Sequence, residues 1–271
     1  MPQAPILAAA LPFDVRPGEV ERNLEAALAG LEQAAAAGAA LLLLPEKWPT
    51  SFLPRFDAAT CAAAAAALET VHARARRLGV RVVGSGPGGG PPRPFNELHV
   101  LGGARIERPY RKRVLFSPTG EGRQCRPGGE LPPVFELGSV RAAGVICYDL
   151  RFPELTRPPF RRGAELLLVP AQWPTPRAPV FELLVRARAA ENQCWVLACN
   201  RSGRAPLGDR RLLEFPGTAL LADPLGGVAV RRDDGGLLLG EIDPAAAAEA
   251  RRLVPCARDA RRAGLWPEDS V

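Results

Sequence analysis

Short apolar segments alternate along the chain with longer segments in which apolar residues recur every three or four positions. Segments of the first kind, which are typical of strands buried on both faces, are PILAAAL (5–11), LLLLP (41–45), VRVVGSG (80–86), VRAAGVIC (140–147), ELLLVPAQW (165–173) and CWVLACN (194–200). The periodic segments predict helices over 20–37, 57–78, 153–162, 177–192 and 244–263. The alternation predicts an α/β fold in which sheets lie between layers of helices.

Hairpins are predicted in two further regions. The glycine- and proline-rich segment 86–94 lacks the spacing of a phosphate loop and is interpreted as a connection leading to strands in NELHVLGG and ARIERPYRK. TALLADPLG and GVAVRR form the second hairpin, and GLLLGEID is one more strand. Since no break in composition marks a boundary, we predict a single domain over 1–271 with its core over about 5–265.

The composition narrows the class of protein. The chain has 271 residues, of which 47% are apolar, enough for a sizeable core. No apolar run is long enough to cross a membrane, and the first residues lack the basic and long apolar regions of a signal peptide, so we expect a cytoplasmic protein. The net charge of +6 comes from scattered arginines without interleaved aromatic residues, so no nucleic-acid partner is expected.

The cysteines and histidines do not predict a metal site. There are two histidines, His72 and His99, and six cysteines, none in a CxxC pair: Cys61, Cys125, Cys147, Cys194, Cys199 and Cys256. A structural zinc site is therefore not expected. In a reducing cytosol these are free thiols, most of them buried packing residues.

The basic residues are very unevenly divided. Of the 35, only Lys47 and Lys112 are lysines, and the rest are arginines. Arginine supplies a forked, permanent charge, whereas lysine supplies a compact ammonium with a tunable pKa. A lysine in this chain is thus a candidate for a position where arginine cannot serve.

Three chemically useful side chains follow predicted strands. Glu46 follows the segment 41–45, Cys147 ends the segment 140–147, and Lys112 ends the strand in ARIERPYRK. The carboxyl ends of strands in α/β sheets open onto the ligand crevice, so we expect the three to meet there. A thiol needs a base or a nearby cation to act as a nucleophile, a buried carboxylate can exchange protons, and an ammonium can stabilise an oxyanion.

Each of the three residues taken alone has a simpler interpretation. Cys147 could be a packing thiol, Glu46 could cap the turn or helix that follows it, and Lys112 could belong to a solvated charged face. Because all three residues occur at strand ends, their combination favours a thiol-based catalytic site over these separate structural roles.

The motifs around these residues resemble those of the nitrilase, or carbon-nitrogen hydrolase, superfamily. The matching segments are GAALLLLPE, YRKRVLF, EGRQCRPG, GVICYDLRFPEL, PAQWPTPR and LLVRARAAENQCWVLACNRSG. The resemblance implies a four-layer α-β-β-α sandwich in a single domain, assembled as a homodimer or higher homo-oligomer. It also implies Glu46 as general base, Lys112 and Cys147 as its catalytic partners, and Glu121 as the second glutamate.

The resemblance implies a reaction as well. The Cys147 thiolate attacks an amide carbonyl, and Lys112 and the backbone N–H of Tyr148 stabilise the oxyanion. Glu46 protonates the departing ammonia, which leaves a thioester, and then activates the water that hydrolyses it. Glu121 holds Lys112 and orients the substrate. No metal or organic cofactor is expected, and the expected partner is a small-molecule amide.

Some motifs resemble one branch of the superfamily in particular. YRK, CYDLRFPE and AQWP are similar to those of ω-amidases, which hydrolyse the terminal amide of small carboxylated substrates such as 2-oxoglutaramate. Arg151 suits bidentate binding of a carboxylate, although a structural pair with Asp149 or Glu154 is the alternative.

Candidate pocket walls are aromatic: Phe116, Trp173 and Phe181, although core packing is the commoner role of such residues. Val114 stands where the family's lysine motif usually has histidine, and Phe181 lies in a region that also departs from the family pattern. The substrate is therefore left open.

Other functions stay open at this point. One alternative is an N-carbamoyl-amine hydrolase or a deaminated-glutathione amidase, and another, outside enzymes, is a catalytically silent binding subunit. The sequence does not identify the physiological amide or decide whether nitriles are accepted.

Overall fold

The structure, a computed structural model, describes residues 4–207 and 211–265. The ends of the predicted domain, 1–3 and 266–271, lie outside the described residues, as do 208–210. The strands are β1 (Ile6–Ala10), β2 (Leu41–Leu43), β3 (Arg81–Gly88), β4 (Phe95–Leu101), β5 (Glu107–Arg111), β6 (Phe135–Leu137), β7 (Val140–Gly144), β8 (Leu166–Ala171), β9 (Trp195–Asn200), β10 (Ser202–Leu207), β11 (Arg211–Pro216), β12 (Ala219–Ala222), β13 (Val228–Arg232) and β14 (Leu238–Ile242). The helices are α1 (Val20–Ala36), α2 (Ala58–Leu78), α3 (Glu121–Gln124), α4 (Pro153–Arg161), α5 (Ala178–Asn192), α6 (Pro244–Leu253) and α7 (Cys256–Arg262).

Two six-stranded sheets form the centre of the molecule. Their strand orders are β14-β1-β2-β3-β4-β5 and β13-β12-β9-β8-β7-β6. Each sheet has three parallel strands in its middle, β1-β2-β3 and β7-β8-β9, flanked by antiparallel strands. The parallel strands carry the most continuous apolar sequences because helices or the other sheet cover both of their faces.

The side chains of the central strands show how the layers stack. Of the leucines 41–44, Leu41 and Leu43 lie in the core between the two sheets, whereas Leu42 and Leu44 lie in the core beneath α1 and α2. On the outside of the second sheet, α5 packs against β9 and β12. The four layers are therefore α-β-β-α, which confirms the predicted fold class.

Most predicted elements match the structure to within a few residues, but the last helix does not. The predicted helix over 244–263 is wrong: α6 ends at Leu253 and α7 begins at Cys256. Pro255 lies between them and cannot donate the backbone hydrogen bond that a continuous helix needs. The short strand β6 and the hairpin β10–β11 were not predicted, because neither shows a long apolar or strictly alternating pattern.

No helix in the described ranges combines the length and the apolar character that a membrane crossing requires.

Candidate active site

The structure brings the three predicted strand-end residues into one buried cluster. Glu46 lies just beyond β2, Lys112 directly follows β5, and Cys147 lies three residues beyond β7. Glu46 and Lys112 are almost completely buried, and Cys147 is 7% exposed. Lys112 and Cys147 line the same small pocket, and Glu46 lies behind Lys112. The expectation that a carboxylate, an ammonium and a thiol meet in one place is confirmed.

Lys112 is held between two carboxylates. Its Nζ donates to Oε1 of Glu46 and to Oε2 of Glu121, each at 2.8 Å. Burial alone would lower the pKa of Lys112, but Glu121 and Glu46 raise it well above its usual value. The side chain is therefore a fixed ammonium at any pH near neutrality.

Glu46 has one oxygen engaged and one available. Oε1 accepts hydrogen bonds from Lys112 and from Nδ2 of Asn96, both at 2.8 Å. Oε2 is buried and has no hydrogen-bond partner in the described part of the chain. A carboxyl group with one unoccupied oxygen beside a thiol is the arrangement that a general base requires.

Cys147 lies at a strained turn. Its φ of +51° is in the left-handed region, which is uncommon for residues other than glycine, and it begins a 3₁₀ turn over Cys147–Arg151. Its Sγ lies 3.9 Å from the backbone oxygen of Gln172. Burial raises the pKa of the Cys147 thiol well above its usual value and Glu46 raises it further, against the opposing effect of Lys112. The resting site therefore holds a thiol next to a carboxylate.

Asp149 fixes this turn from inside. Its carboxylate accepts hydrogen bonds from the hydroxyl of Tyr110 at 2.9 Å, from the backbone N–H of Val114 at 2.9 Å and from that of Ile146 at 3.3 Å. Burial raises the pKa of Asp149 to about 7, although Lys112 and these hydrogen bonds act to lower it. Asp149 thus joins β5 and the segment that follows Lys112 to the turn that begins at Cys147.

Replacing Asp149 with asparagine is expected to damage both stability and activity. The Asn amide would place N–H donors against backbone N–H groups, so at least one hydrogen bond is lost and the fold is destabilised by about 1–3 kcal/mol. Because the Cys147 turn depends on these bonds, kcat should also fall. Chemical denaturation and steady-state kinetics measure the two effects.

A matched control is Asp223→Asn, since Asp223 accepts backbone N–H groups of Leu225 and Gly227 in the distant β12–β13 turn. This variant should lose stability but keep its kcat. An unchanged kcat in Asp149→Asn would show that the turn does not need Asp149.

Glu121 begins the short helix α3 and is completely buried. Its Oε2 accepts from Lys112 and, at 2.7 Å, from the backbone N–H of Phe116. Burial raises the pKa of Glu121, but Lys112 and Lys47 bring it below its usual value, so the group is a carboxylate. The structure thus places Glu121 where a residue that holds Lys112 would lie.

Gln172 is a site residue that the sequence analysis missed. Its Nε2 donates to the backbone oxygen of Glu46 at 2.7 Å, and its Oε1 accepts from Ser51 at 3.2 Å and from Arg201 at 3.1 Å. Arg201 in turn donates to Asp14 at 2.7 Å. This buried network fastens the Glu46 loop of one sheet to the end of β8 in the other. Its only signal in the sequence is a polar residue directly after a buried strand.

Aromatic rings form much of the pocket wall. Phe116 and Trp173 line it as predicted, and the Tyr148 ring packs edge-on against Phe116 with centroids 4.9 Å apart. Phe181 is not among the lining residues: it is buried on α5, and its ring packs against Trp173 with centroids 5.4 Å apart. The predicted pocket role of Phe181 is corrected to support of Trp173. Phe52 also lines the pocket and was not predicted.

Two arginines lie on the pocket wall without a carboxylate partner in the described part of the chain. Arg151 lies over the rings of Trp173 and Tyr148, at 5.0 and 6.0 Å from their centroids, and forms no ion pair with Asp149 or Glu154. The structural alternative for Arg151 is therefore not supported. Arg177, which was not predicted, lies over Phe116 at 5.6 Å.

In the part of the chain that the structure describes, no cluster of three or more His, Cys, Asp or Glu side chains has the geometry to hold a metal ion. The groups available for chemistry are the thiol, the carboxylates and the ammonium. They define the class of thiol hydrolases, in which a cysteine attacks an electrophilic carbon and a neighbouring base moves the protons.

Comparison with known proteins identifies the family. Residues 3–252 match the model of the carbon-nitrogen hydrolase family. The chain is 34% identical over 257 residues to a 2-oxoglutaramate amidase of Bacillus subtilis, a match that covers 93% of this chain and 96% of the relative. It is 33% identical over 271 residues to a deaminated glutathione amidase of Synechocystis, with the same coverage of 93% and 96%.

Solved structures agree with the sequence relatives. A superfamily protein of Xanthomonas campestris with an arsenic adduct in its active site superposes with a TM-score of 0.82 at 28% identity, over 99% of this chain and 98% of that chain. A glutamate-to-glutamine mutant of the amidase of Nesterenkonia sp. AN1, which carries the acetamide moiety of fluoroacetamide on its active-site cysteine, superposes with a TM-score of 0.78 at 28% identity, over 94% of this chain and 96% of that chain. The chain belongs to the carbon-nitrogen hydrolase family, and it is an amidase-type enzyme with a Glu-Lys-Cys site.

Proposed function

We propose that this enzyme hydrolyses the terminal amide of a small carboxylated substrate, as an ω-amidase does, through a thioester on Cys147 with release of ammonia. The observation that supports this most strongly is the set of residues that line one pocket. Lys112 and Cys147 line it together with two arginines, Arg151 and Arg177, that have no carboxylate partner among the described residues. The similarity to a 2-oxoglutaramate amidase points to the same kind of substrate.

The first half of the reaction forms the thioester. As Sγ of Cys147 bonds to the amide carbon, its proton moves to the unoccupied Oε2 of Glu46. The carbonyl oxygen becomes an oxyanion, which the Lys112 ammonium and the backbone N–H of Tyr148 stabilise. Glu46 then gives its proton to the amide nitrogen, the C–N bond breaks, and ammonia leaves.

The second half restores the enzyme. Glu46 takes a proton from water, and the hydroxide adds to the thioester carbon. The second tetrahedral intermediate is held by the same donors. When the C–S bond breaks, the proton returns from Glu46 to the sulfur, and the product is a carboxylic acid. Because Lys112 remains an ammonium throughout, it supplies charge without consuming a proton.

The pocket wall supports recognition of a carboxylate at the far end of the substrate. A guanidinium binds a carboxylate through two parallel hydrogen bonds, and cations stacked on aromatic rings are held in place with their donors free. Arg151 rests on Trp173 and Tyr148, and Arg177 rests on Phe116. The two therefore lie on the wall as pre-positioned cations for an anionic substrate.

Arg151→Lys and Arg177→Met are expected to raise KM for carboxylated amides by about tenfold each, because each removes a charge-assisted hydrogen bond. The rate with an uncharged amide such as butyramide should change less than about twofold. Ammonia release measured over a panel of both substrate types gives the comparison. A matched control is Arg252→Met on α6, an exposed arginine that does not line the pocket.

Equal losses on charged and uncharged amides would show that the two arginines have only a structural role. The same panel tests the proposed function itself, since no ammonia release from any small amide would contradict it.

A deaminated-glutathione amidase is the second candidate, supported by the 33% identity to the Synechocystis enzyme. Its substrate is also a carboxylated amide but is a peptide, so it needs more room than 2-oxoglutaramate. A higher kcat/KM for the tripeptide amide than for 2-oxoglutaramate would favour this candidate. The cytoplasmic location and the assembly into a homodimer stay predictions.

A further inference from the structure

Both lysines of the chain lie in the catalytic cluster. Lys112 contacts the two glutamates, and Lys47, which directly follows Glu46, is completely buried on the other side of Glu121. In a chain whose other basic residues are all arginine, the two lysines thus occupy the two places where a compact ammonium must fit between buried groups. The mechanism described above uses Lys112 and leaves Lys47 without a role.

The contacts of Lys47 point towards Glu121. Its Nζ lies 3.9 Å from Oε1 of Glu121 and donates to Sγ of Cys125 at 3.0 Å. The rings of Phe52 and Phe56 lie 4.3 and 5.3 Å from the same nitrogen and exclude water from it. Lys47 is not among the residues that line the pocket, so the substrate does not reach it.

The two oxygens of Glu121 have different partners. Oε2 accepts from Lys112 and from the backbone of Phe116, whereas Oε1 has no hydrogen-bond partner in the described ranges and faces Lys47 alone. Lys47 is therefore the cation next to Oε1 of Glu121, the oxygen to which Lys112 does not donate.

The two buried glutamates are matched by an equal number of ammonium groups only when Lys47 is counted. Glu46 and Glu121 supply two negative charges, and Lys47 and Lys112 supply two positive ones, all fully buried. Without Lys47, two carboxylates would share one ammonium. In a site of low dielectric, like charges this close favour uptake of a proton by one of the two carboxylates.

The other titratable groups around the cluster do not replace Lys47. Cys125 and Cys147 are thiols that face Lys47 and Glu46 respectively. Asp149 adds a further acidic group near Lys112, and Tyr110 donates to Asp149 rather than to the glutamates. Loss of Lys47 would therefore leave the site with an excess of acidic groups.

We propose that Lys47 is a positioning residue for the amidase reaction, whose ammonium balances the Glu121 carboxylate and so keeps Glu121 hydrogen-bonded to Lys112 and Lys112 directed at the reacting oxygen near neutral pH. This inference rests on the proposed function, because it assigns Lys47 to the same reaction. Lys47 acts through Glu121 and does not contact the substrate.

The test is the pH profile of Lys47→Met, which keeps the length of the side chain and removes its charge. The acidic limb of kcat/KM should move up by about one pH unit or more, so that activity at pH 6 falls about tenfold or more. Activity at pH 9 should stay within about threefold of the wild type, because the Glu121 carboxylate is ionised there in both proteins. An acidic limb that does not move would overturn the proposal.

The double variant Lys47→Met with Glu121→Gln separates charge balance from packing. It leaves one carboxylate and one ammonium, so its acidic limb should return towards that of the wild type even though its kcat is lower. If Lys47 has only a packing role, the losses of activity caused by the two substitutions should add, and the acidic limb of kcat/KM should not move. If Lys47→Met alone does not fold, a folded double variant supports the proposal and an unfolded one overturns it.

A second readout does not depend on amidase activity. The rate at which fluoroacetamide alkylates Cys147 depends on the charge of the groups around the thiol, so its pH dependence should move in Lys47→Met in the same direction as that of kcat/KM. Wild-type protein without amidase activity would contradict the proposed function, and the alkylation profile would still decide the role of Lys47.

Discussion

Cys147→Ala is expected to lower kcat for amide hydrolysis by about 10⁴-fold or more while leaving the fold intact. Sγ of Cys147 is the atom that bonds to the substrate carbon, and no other thiol lines the pocket in the described part of the chain. The carboxylate and the ammonium would still bind and polarise the amide, but no thioester could form. Ammonia release under saturating substrate measures the loss, and circular dichroism checks the fold.

Cys199→Ala is the matched control for this prediction. Cys199 is also a fully buried thiol, and burial likewise raises its pKa well above the usual value, but it lies within β9 and away from the pocket. Its replacement should cost some stability, as the loss of a buried side-chain atom does, and leave kcat unchanged. Retained turnover in Cys147→Ala would show that Cys147 is not the nucleophile.

Lys112→Arg should have the second-largest effect, a loss in kcat of about 10²- to 10³-fold. The Lys112 ammonium fits between Glu46 and Glu121, with 2.8 Å contacts to both. A guanidinium is larger and planar, so it cannot keep both contacts and still present a compact charge to the oxyanion. The retained positive charge makes this a test of geometry rather than of charge.

Two measurements separate the chemical loss in Lys112→Arg from misfolding. Thermal unfolding reports on the fold, and Lys112→Gln, a shorter neutral variant, shows the effect of losing the charge without adding bulk. Both variants should be strongly impaired. Near-normal kcat in Lys112→Arg would show that any cation suffices at this position, and the oxyanion role given to Lys112 would be wrong.

The central site could be predicted because its residues follow buried strands. Glu46, Lys112 and Cys147 each come at or just after the carboxyl end of a strand. The carboxyl ends of strands open onto the ligand crevice, so polar residues at these positions indicate a functional site. The two sheets pack face to face, which brings these strand ends close to one another. Lys47 gave a different signal, a rare lysine among arginines, which marked its position without revealing its partner Glu121.

The parts that could not be predicted depend on how the elements pack. Phe181 and Trp173 look alike in the sequence, and only the placement of α5 against the second sheet decides which ring faces the pocket. Arg177 and Gln172 belong to the site because of contacts with Phe116 and with the Glu46 loop, which are distant in sequence. No periodicity within a single segment carries this information.

Site-specific alkylation shows whether Glu46, Lys112 and Cys147 act together in one pocket. The protein is treated with fluoroacetamide at neutral pH, and peptide mass mapping follows all six cysteines. We expect a single rapid adduct on Cys147, loss of activity in step with it, protection by a carboxylated amide, and slower labelling in Glu46→Gln. Labelling of Cys147 no faster than that of the exposed Cys256, or inactivation that follows another cysteine, would contradict this expectation.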